Sequence, residues 1–434
     1  MSGVGDLGRR RIAIAAVSLG AWFLVVGVPV DARAGGLWLF EDAGPTVGTA
    51  SAGRAAIASD ATTARGNPAG MTRLTGNQMV VGAQPLIYTA RFDSDQVGTQ
   101  GGGDGGNAGG VFPTAGFYYV HDVAEDWRVG FAFGSGLGLG VDYNSNWAGR
   151  YYVQEATFAT VSAMPSLAYR VTDWLSIGGG AGVNYADLHQ KAAINNEVTD
   201  PGVPDGQLEV DADNIAAFAH AGVLVEPRPG TWFGLTYTSK VDHSFEDTLS
   251  ISGVGPNLAA ALGDLSGSQV DLDINLPQQV MFSAYHQVTA ALAVMANVAW
   301  QDWSDFGETN VTLVSSSATN GFTADREFDD TWHFAIGAQY QVSPNWKLST
   351  GFAHDTSPVS DGDRTPDLPL DRQLRFSAGT EHVYSDDLDF GLAYTYLDGG
   401  DADIERTGGF RGTLVGDYET NEIHIVAAYL NYRW

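Results

Sequence analysis

The last nine residues of the chain, VAAYLNYRW at positions 426–434, decide the fold class. Side chains on one face of this segment are apolar and end on an aromatic residue: Val426, Ala428, Leu430, Tyr432 and Trp434. Alternation with a period of two is the pattern of a β-strand whose two faces meet different surroundings. A strand of a soluble sandwich would turn its apolar face inward, whereas a strand of a membrane barrel would turn it towards lipid.

The same alternation recurs along the chain after residue 76. Residues 292–301 and 388–396 are clear examples, and the whole chain contains about 14 such segments by their period. The connections alternate between short turns, such as 171–173 and 385–387, and long polar stretches, such as 93–110 and 356–372. Tight turns at one end and long loops at the other are typical of an outer-membrane barrel. We therefore predict an all-β protein, a transmembrane antiparallel β-barrel of about 14 strands over residues 77–434.

Aromatic residues favour the barrel over the sandwich. Trp127, Trp174, Trp232, Trp346 and Phe390 lie at or next to the short turns, where the aromatic girdle of a membrane interface would place them. The aromatic that ends the last strand resembles the assembly signal of outer-membrane barrels, although the usual residue there is phenylalanine. We therefore expect the barrel assembly machinery, outer-membrane lipid and lipopolysaccharide as partners, and the outer membrane of a Gram-negative bacterium as the location.

Residues 1–34 have the pattern of an export signal. Arg9, Arg10 and Arg11 precede a long apolar run, and Ala32-Arg33-Ala34 is a small-x-small cleavage site. The alternative is an uncleaved membrane anchor, because the apolar run is nearly long enough to span a bilayer. The position of the cleavage site favours removal after Ala34.

The composition argues against several classes of function. The formal net charge is −29, whereas nucleic-acid binding needs clustered Lys and Arg. The chain has no cysteine, so it has no thiolate nucleophile and no cysteine-bound zinc. Its nine His are scattered, and neither HExxH nor GxSxG occurs. We predict no enzyme activity, no metal site, no cofactor and no nucleic-acid partner.

Residues 35–76 differ from the rest of the chain. They are rich in Gly, Ala, Ser and Thr, form neither a strand pattern nor an amphipathic helix, and are small enough to pack inside something else. The segment carries Gly48, Gly53, AIA at 56–58, DA at 60–61 and Asn67-Pro68-Ala69. It closely resembles the N-terminal plug of the outer-membrane long-chain fatty acid and hydrocarbon transporters, the FadL/TodX family. The resemblance continues through WAGRYYVQ at 147–154 and RTPDLP at 364–369, and covers essentially the whole mature chain.

The resemblance implies a plug at residues 35–76 and passive uptake of hydrophobic molecules, which leave sideways into the membrane at a strand kink. Long-chain fatty acids are the expected substrates. Uptake of aromatic or alkane hydrocarbons is one alternative, and a structural or adhesion barrel that transports nothing is another. The expected gating residues are Asn67-Pro68-Ala69 and Gly134-Ser135-Gly136, because glycine lets a strand bulge. The two glycines could instead serve only to make room for the plug.

Five further positions are candidates for ligand contact. Leu258 and Leu262 belong to a short apolar run in a long connection, which suits a capture groove or a helix that caps the barrel mouth. Arg150 is a candidate partner for a carboxylate, although such residues are more often solvated charges. Leu37 and Phe40 would touch a ligand from below or pack within the plug.

Overall fold

The computed structural model describes residues 40–98, 101–263, 267–314, 319–407 and 411–434. The predicted export signal at 1–34 and Leu37 lie outside the described residues.

The described chain consists mainly of β-strands. The strands are β1 (Gln78–Val97), β2 (Val111–Ala124), β3 (Trp127–Asp142), β4 (Glu155–Thr172), β5 (Leu175–Ile194), β6 (Gly206–Arg228), β7 (Thr231–Thr238), β8 (Val241–Thr248), β9 (Ser250–Ser252), β10 (Gln269–Leu276), β11 (Gln279–Gln287), β12 (Leu292–Gln301), β13 (Glu308–Val314), β14 (Thr319–Asp325), β15 (Thr331–Ser343), β16 (Trp346–Asp355), β17 (Gln373–Ser385), β18 (Leu388–Asp398), β19 (Ile404–Arg406) and β20 (Leu414–Arg433). The α-helices are α1 (Thr63–Gly66), α2 (Pro256–Leu262) and α3 (Trp303–Gly307), and 3-10 turns occupy Pro45–Thr49 and Pro68–Arg73.

Within the described residues, one sixteen-stranded sheet closes on itself. Its three-residue strands β9 and β19 each pair with one strand, β6 and β20 respectively. The other fourteen strands form the ring. Each of these strands is antiparallel to its neighbours, and β1 pairs with β20 to close the ring. Asn77 and the terminal Trp434 exchange backbone hydrogen bonds of 3.0 Å at this seam. The predicted antiparallel barrel of about 14 strands is therefore confirmed.

The apolar faces of the strands point outward. On β12, Val294 and Val298 are 40% and 39% exposed, whereas Asn297 and Gln301 are 3% and 2% exposed. A soluble sandwich would show the reverse arrangement, so the outer surface is suited to lipid. Trp127, Trp174, Trp346 and Phe390 are also exposed, as an interfacial girdle requires. The prediction was wrong for Trp232, which is only partly exposed and packs against the buried residues Ala58, Ala69 and Leu224. Among the described helices, none has the length and apolar character needed to cross a membrane.

Alternation over residues 232–247 and 270–288 predicts one strand in each stretch, but the structure divides both. Residues 232–247 form β7 and β8, and residues 270–288 form β10 and β11. Only β7 and β11 belong to the ring, whereas β8 and β10 join β13 and β14 in a separate four-stranded sheet. The long polar connection at 305–326 contains most of α3 and the β13–β14 hairpin. A period of two does not reveal a change of pairing partner, and Pro277 has no amide N–H to continue a ladder.

Residues 40–76, here called the N-terminal segment, contact strands on all sides of the ring. A Cβ placed on Gly82 of β1 would lie 1.7 Å from the carbonyl oxygen of Ala43, and one on Gly234 of β7 would lie 1.8 Å from that of Ala55. Asn297 of β12 donates to the Ser51 carbonyl at 2.5 Å. Further contacts reach β2, β5, β6, β11, β15, β16, β17 and β18. A single segment can touch so many strands of a closed ring only from the inside.

Candidate ligand cleft and lateral opening

A cleft of about 770 Å³, open to solvent, lies between the N-terminal segment and the inner face of one side of the ring. Apolar side chains form part of its lining: Met164, Phe218, Val241, Leu276 and Met281. Hydroxyl, amide and imidazole groups form another part: Thr160, Ser162, Asn184, His220, Thr236, Thr238 and Gln279. The N-terminal segment supplies two guanidinium groups, from Arg54 and Arg65. A concave site with mixed apolar and polar walls suits an elongated amphiphile or a small apolar molecule.

The two arginines share one buried carboxylate. Asp42 is 2% exposed at its side chain, and its two oxygens accept from Arg54 Nη1 at 2.7 Å and from Arg65 Nε at 3.1 Å. The side chains of Arg54 and Arg65 are 12% and 14% exposed, towards the cleft that they line. The two guanidinium groups compensate the charge of this buried carboxylate, where an isolated charge would be costly.

A polar network extends from the cleft to the four-stranded sheet. Asn184 donates to Ser162 at 2.8 Å, and its side-chain oxygen lies 2.9 Å from His243 Nε2. The other ring nitrogen of His243 lies 3.0 Å from the side-chain oxygen of Asn214. Burial lowers the pKa of His243 to about 4, so the ring is neutral at neutral pH. His220, which lines the cleft, lies 2.9 Å from the Thr238 hydroxyl through Nδ1.

The wall of the ring is incomplete beside the cleft. β2 pairs with β1 as far as Val111, but it pairs with β3 only from Ala124 to Gly116. The last rung joins Gly116 to Gly134, and the register of β3 with β4 shifts between Ser135 and Gly138. Residues 111–115 of β2 therefore have no paired partner in β3, and the place beyond this rung where the two strands are unpaired is here called the gap.

The two glycines of β3 lie on either side of the end of the ladder. A Cβ on Gly134 would lie 3.3 Å from the carbonyl oxygen of Ala115 in β2. A Cβ on Gly136 would meet, among the described residues, only the guanidinium of Arg65, whose Nη2 would be 2.7 Å away. Gly136 thus lies at the gap and lines the cleft, together with Arg65.

Asn67-Pro68-Ala69 lies away from the cleft and fixes the N-terminal segment to the ring. The buried Asn67 side chain donates to the carbonyls of Ala55 and Val223 at 2.6 and 3.1 Å, and accepts from the amide of Ala69 at 3.1 Å. A Cβ on Gly178 of β5 would lie 2.5 Å from the Ala69 nitrogen. The motif is an anchor between β5 and β6.

Phe40 packs inside the ring and does not line the cleft. It is 1% exposed and stacks on His333, with ring centroids 4.0 Å apart. The guanidinium of Arg375 lies 5.4 Å from its ring centroid. These contacts pack the start of the N-terminal segment against strands of the ring.

Arg150 is held in the long connection between β3 and β4. Its Nε donates to Asp205 at 2.8 Å, and its Nη1 donates to the carbonyls of Gly101 and Trp147. It does not line the cleft. The structure therefore does not bring Arg150 to the other candidate residues.

Leu258 and Leu262 lie one turn apart on α2 and are half-buried, while most of the helix is exposed. The first turn of the helix contacts the connection between β5 and β6. There the carboxylate of Asp200 accepts from the amides of Asn257 and Leu258, each at 2.9 Å. Neither leucine lines the cleft. Their place is on the loop surface at the end of the ring that carries the long connections.

Sequence reasoning overlooked Arg54 and Arg65. The candidate cation that it offered was Arg150, which lies in the connection between β3 and β4. A signal was present, because a segment of small residues that packs inside a barrel has little reason to carry charge. Two arginines there indicate a polar partner, and the tertiary structure was needed to identify it as Asp42.

A metal site is not suggested by the described residues, which contain no group of three or more His, Asp or Glu side chains placed to hold an ion.

The closed ring, its outward apolar faces and the N-terminal segment in its interior define an outer-membrane β-barrel with an occupied lumen. The chain belongs to the outer membrane protein transport protein family (OMPP1/FadL/TodX), whose model matches residues 25–434. It is an outer-membrane transporter of hydrophobic compounds.

Individual relatives and solved structures agree with this assignment. The chain is 27% identical over 421 residues to the long-chain fatty acid transport protein of Escherichia coli O6:H1, covering 89% of this chain and 90% of that protein. It is 26% identical to outer membrane protein P1 of Haemophilus influenzae, over 85% and 87% of the two chains. The structure of a Pseudomonas aeruginosa FadL homologue has the same fold, with a TM-score of 0.83, 20% identity, and coverage of 92% and 99%. The Pseudomonas putida toluene transporter TodX also shares the fold, with a TM-score of 0.65, 17% identity, and coverage of 86% and 94%.

Proposed function

We propose that this protein takes up long-chain fatty acids by a passive route that leads through the cleft and out sideways into the membrane. Relatives at about a quarter identity over nine-tenths of their length are named for this transport. The mixed lining of the cleft, with guanidinium groups at one side and apolar side chains at another, suits an acid with a long apolar tail. No nucleotide or catalytic role is proposed, and the driving force is the transfer of the apolar tail from water to lipid, about 25 cal/mol per Å² of buried surface.

One observation carries the lateral route: the β2–β3 ladder ends beside the cleft. An apolar ligand that followed an axial channel would have to enter water on the other side, whereas a gap in the wall leads directly into the hydrocarbon layer. Gly136 lines both the cleft and the gap, and the β3 register shift at Ser135 and Gly138 is the local cause of the separation.

In this proposal the N-terminal segment is a plug of residues 35–76, which remains after removal of an export signal at residues 1–34. Its contacts all round the ring support a blocked lumen, so that water and ions do not follow the ligand. The assembly machinery would recognise the last strand, ending at Trp434, and insert the barrel at residues 77–434. Lipopolysaccharide would surround the barrel in the outer leaflet of the membrane.

An engineered crosslink tests the lateral exit. Ala115→Cys with Ser135→Cys places thiols one rung beyond the last β2–β3 pair, in a chain that has no other cysteine. A disulfide or a short bismaleimide bridge there should remove most uptake of labelled hexadecanoic acid in cells without their own transporter. Reduction of the disulfide should restore it.

The matched control is Phe117→Cys with Phe133→Cys, a pair that lies directly opposite within the intact ladder. Bridging these residues should leave uptake unchanged. Equal uptake with and without the Ala115–Ser135 bridge would refute the lateral exit. Uptake of toluene but not of the acid would favour hydrocarbons as the substrate, and uptake of neither would favour a structural or adhesion role.

A further inference from the structure

The arrangement of charges beside the cleft is unbalanced. Arg54 and Arg65 bring two positive charges to the interior of the ring, and both bind the single carboxylate of Asp42. A buried charge without a partner is costly, so a second anion between the two guanidinium groups would be favoured. The cleft is the open side of this pair.

Donor groups at this place remain available. Arg65 uses Nε for Asp42, and among the described residues its two terminal nitrogens have no acceptor. His220 is 7% exposed and lines the cleft beside both arginines. Guanidinium groups bind carboxylates through paired N–H donors in a plane, which Arg65 can offer without moving its backbone.

Resting on the proposed function, we propose that Arg54 and Arg65 bind the carboxylate of the transported acid, and that Asp42 is the internal anion that competes with it for them. The ligand would be a monocarboxylate with a long apolar tail. Its head group lies against the two arginines, and its tail lies along the side of the cleft formed by Phe218, Leu276 and Met281.

The position of Asp42 ties this competition to the gap in the wall. Its backbone carbonyl accepts from the Tyr118 hydroxyl at 2.8 Å, and a Cβ on Gly116 would lie 2.9 Å from the same oxygen. Gly116 is in the last β2 rung that pairs with β3. Arg65 in turn lies against Gly136. A ligand carboxylate that draws Arg65 away from Asp42 therefore loosens the contacts that line the opening.

Paired ligands with the same tail separate head-group recognition from apolar binding. Hexadecanoic acid and 1-hexadecanol are titrated into the purified full-length protein in detergent. Arg54→Gln and Arg65→Gln should each weaken binding of the acid about 10- to 100-fold, the range of a charge-assisted hydrogen bond, and leave binding of the alcohol within about twofold. Asp42→Asn should strengthen binding of the acid about 10-fold, because it removes a charged competitor, with no gain for the alcohol.

Arg73→Gln is the matched control. Arg73 belongs to the same segment but pairs with Glu226 at 3.3 Å and with the carbonyl of Asp173, away from the cleft. Equal changes for acid and alcohol in the cleft variants, or weaker binding of the acid by Asp42→Asn, would overturn this inference. Neither result would contradict the proposed transport function. Unheated electrophoretic mobility shows whether each variant retains its barrel. A wild-type protein that binds neither ligand would refute the proposed function itself.

Discussion

Replacing Asn67 by alanine should release the N-terminal segment while the barrel stays folded. The side chain is fully buried and connects three backbone groups: the carbonyl of Ala55 at 2.6 Å, the carbonyl of Val223 at 3.1 Å and the amide of Ala69 at 3.1 Å. The bond to Val223 joins the segment to β6, and the other two fix the turn that makes this bond possible. None of them belongs to a strand ladder.

The magnitude follows from these three bonds. Each buried hydrogen bond lost costs about 1 kcal/mol, so the docked segment is destabilised by about 3 kcal/mol. Since about 1.4 kcal/mol corresponds to a factor of ten, the population of the undocked segment should rise about 100-fold. The ring should keep its stability, because strand pairing supplies it independently.

Ion conductance in planar bilayers measures the undocked population, since ions cross the ring only when the segment has left it. The Asn67→Ala protein should show open events about 100-fold more often than the wild type. Asn196→Ala is the matched control. Asn196 is also fully buried, donates to the carbonyls of Pro204 and Gly253, and accepts from the amide of Gly255, but it lies in a long connection. Equal open frequencies in the two variants would refute the anchoring role of Asn67.

Two further predictions concern packing and pH. Gly234→Val should also raise conductance, because its Cβ would lie 1.8 Å from the backbone oxygen of Ala55. Gly362→Val, with open space around it, should not. Equal conductance of the two variants would show that the N-terminal segment shifts within the ring and stays docked. In the connection between β16 and β17, burial alone would raise the pKa of Asp367, but the ion pair with Arg326 at 2.8 Å and nearby hydrogen bonds hold that pKa below its ordinary 3.8. The ionised carboxylate therefore stabilises the loops above that value and ceases to do so as the pH falls through the lowered pKa. Loop proteolysis should be slower in the wild type than in Asp367→Asn at about pH 6, and the difference should shrink as the pH falls below 3.8 and through the lowered pKa; a difference that stays constant over the whole acid range would contradict this.

The sequence by itself determined the barrel. The evidence for it is local: alternation in segments such as residues 292–301 and 388–396, short turns at one end, and the final strand ending at Trp434. Local periodicity can be read from the order of residues alone. The segment around Asn67-Pro68-Ala69 was also recognisable, because small residues and a fixed motif set it apart from every strand. The sequence did not reveal that β8 and β10 leave the ring and join a separate sheet, because the periodicity of a strand is the same whichever strand is its partner.

Only the tertiary structure decided the site. Arg54, Arg65 and Asp42 lie within one short segment, but His220 and Gly136 reach them from β6 and β3, and no spacing along the chain encodes that meeting. The end of the β2–β3 ladder at Gly116 is likewise a property of two strands together. Charge pairing and gaps in a wall are set by distances in space, because both Coulomb interactions and hydrogen bonds depend on separation and not on sequence order.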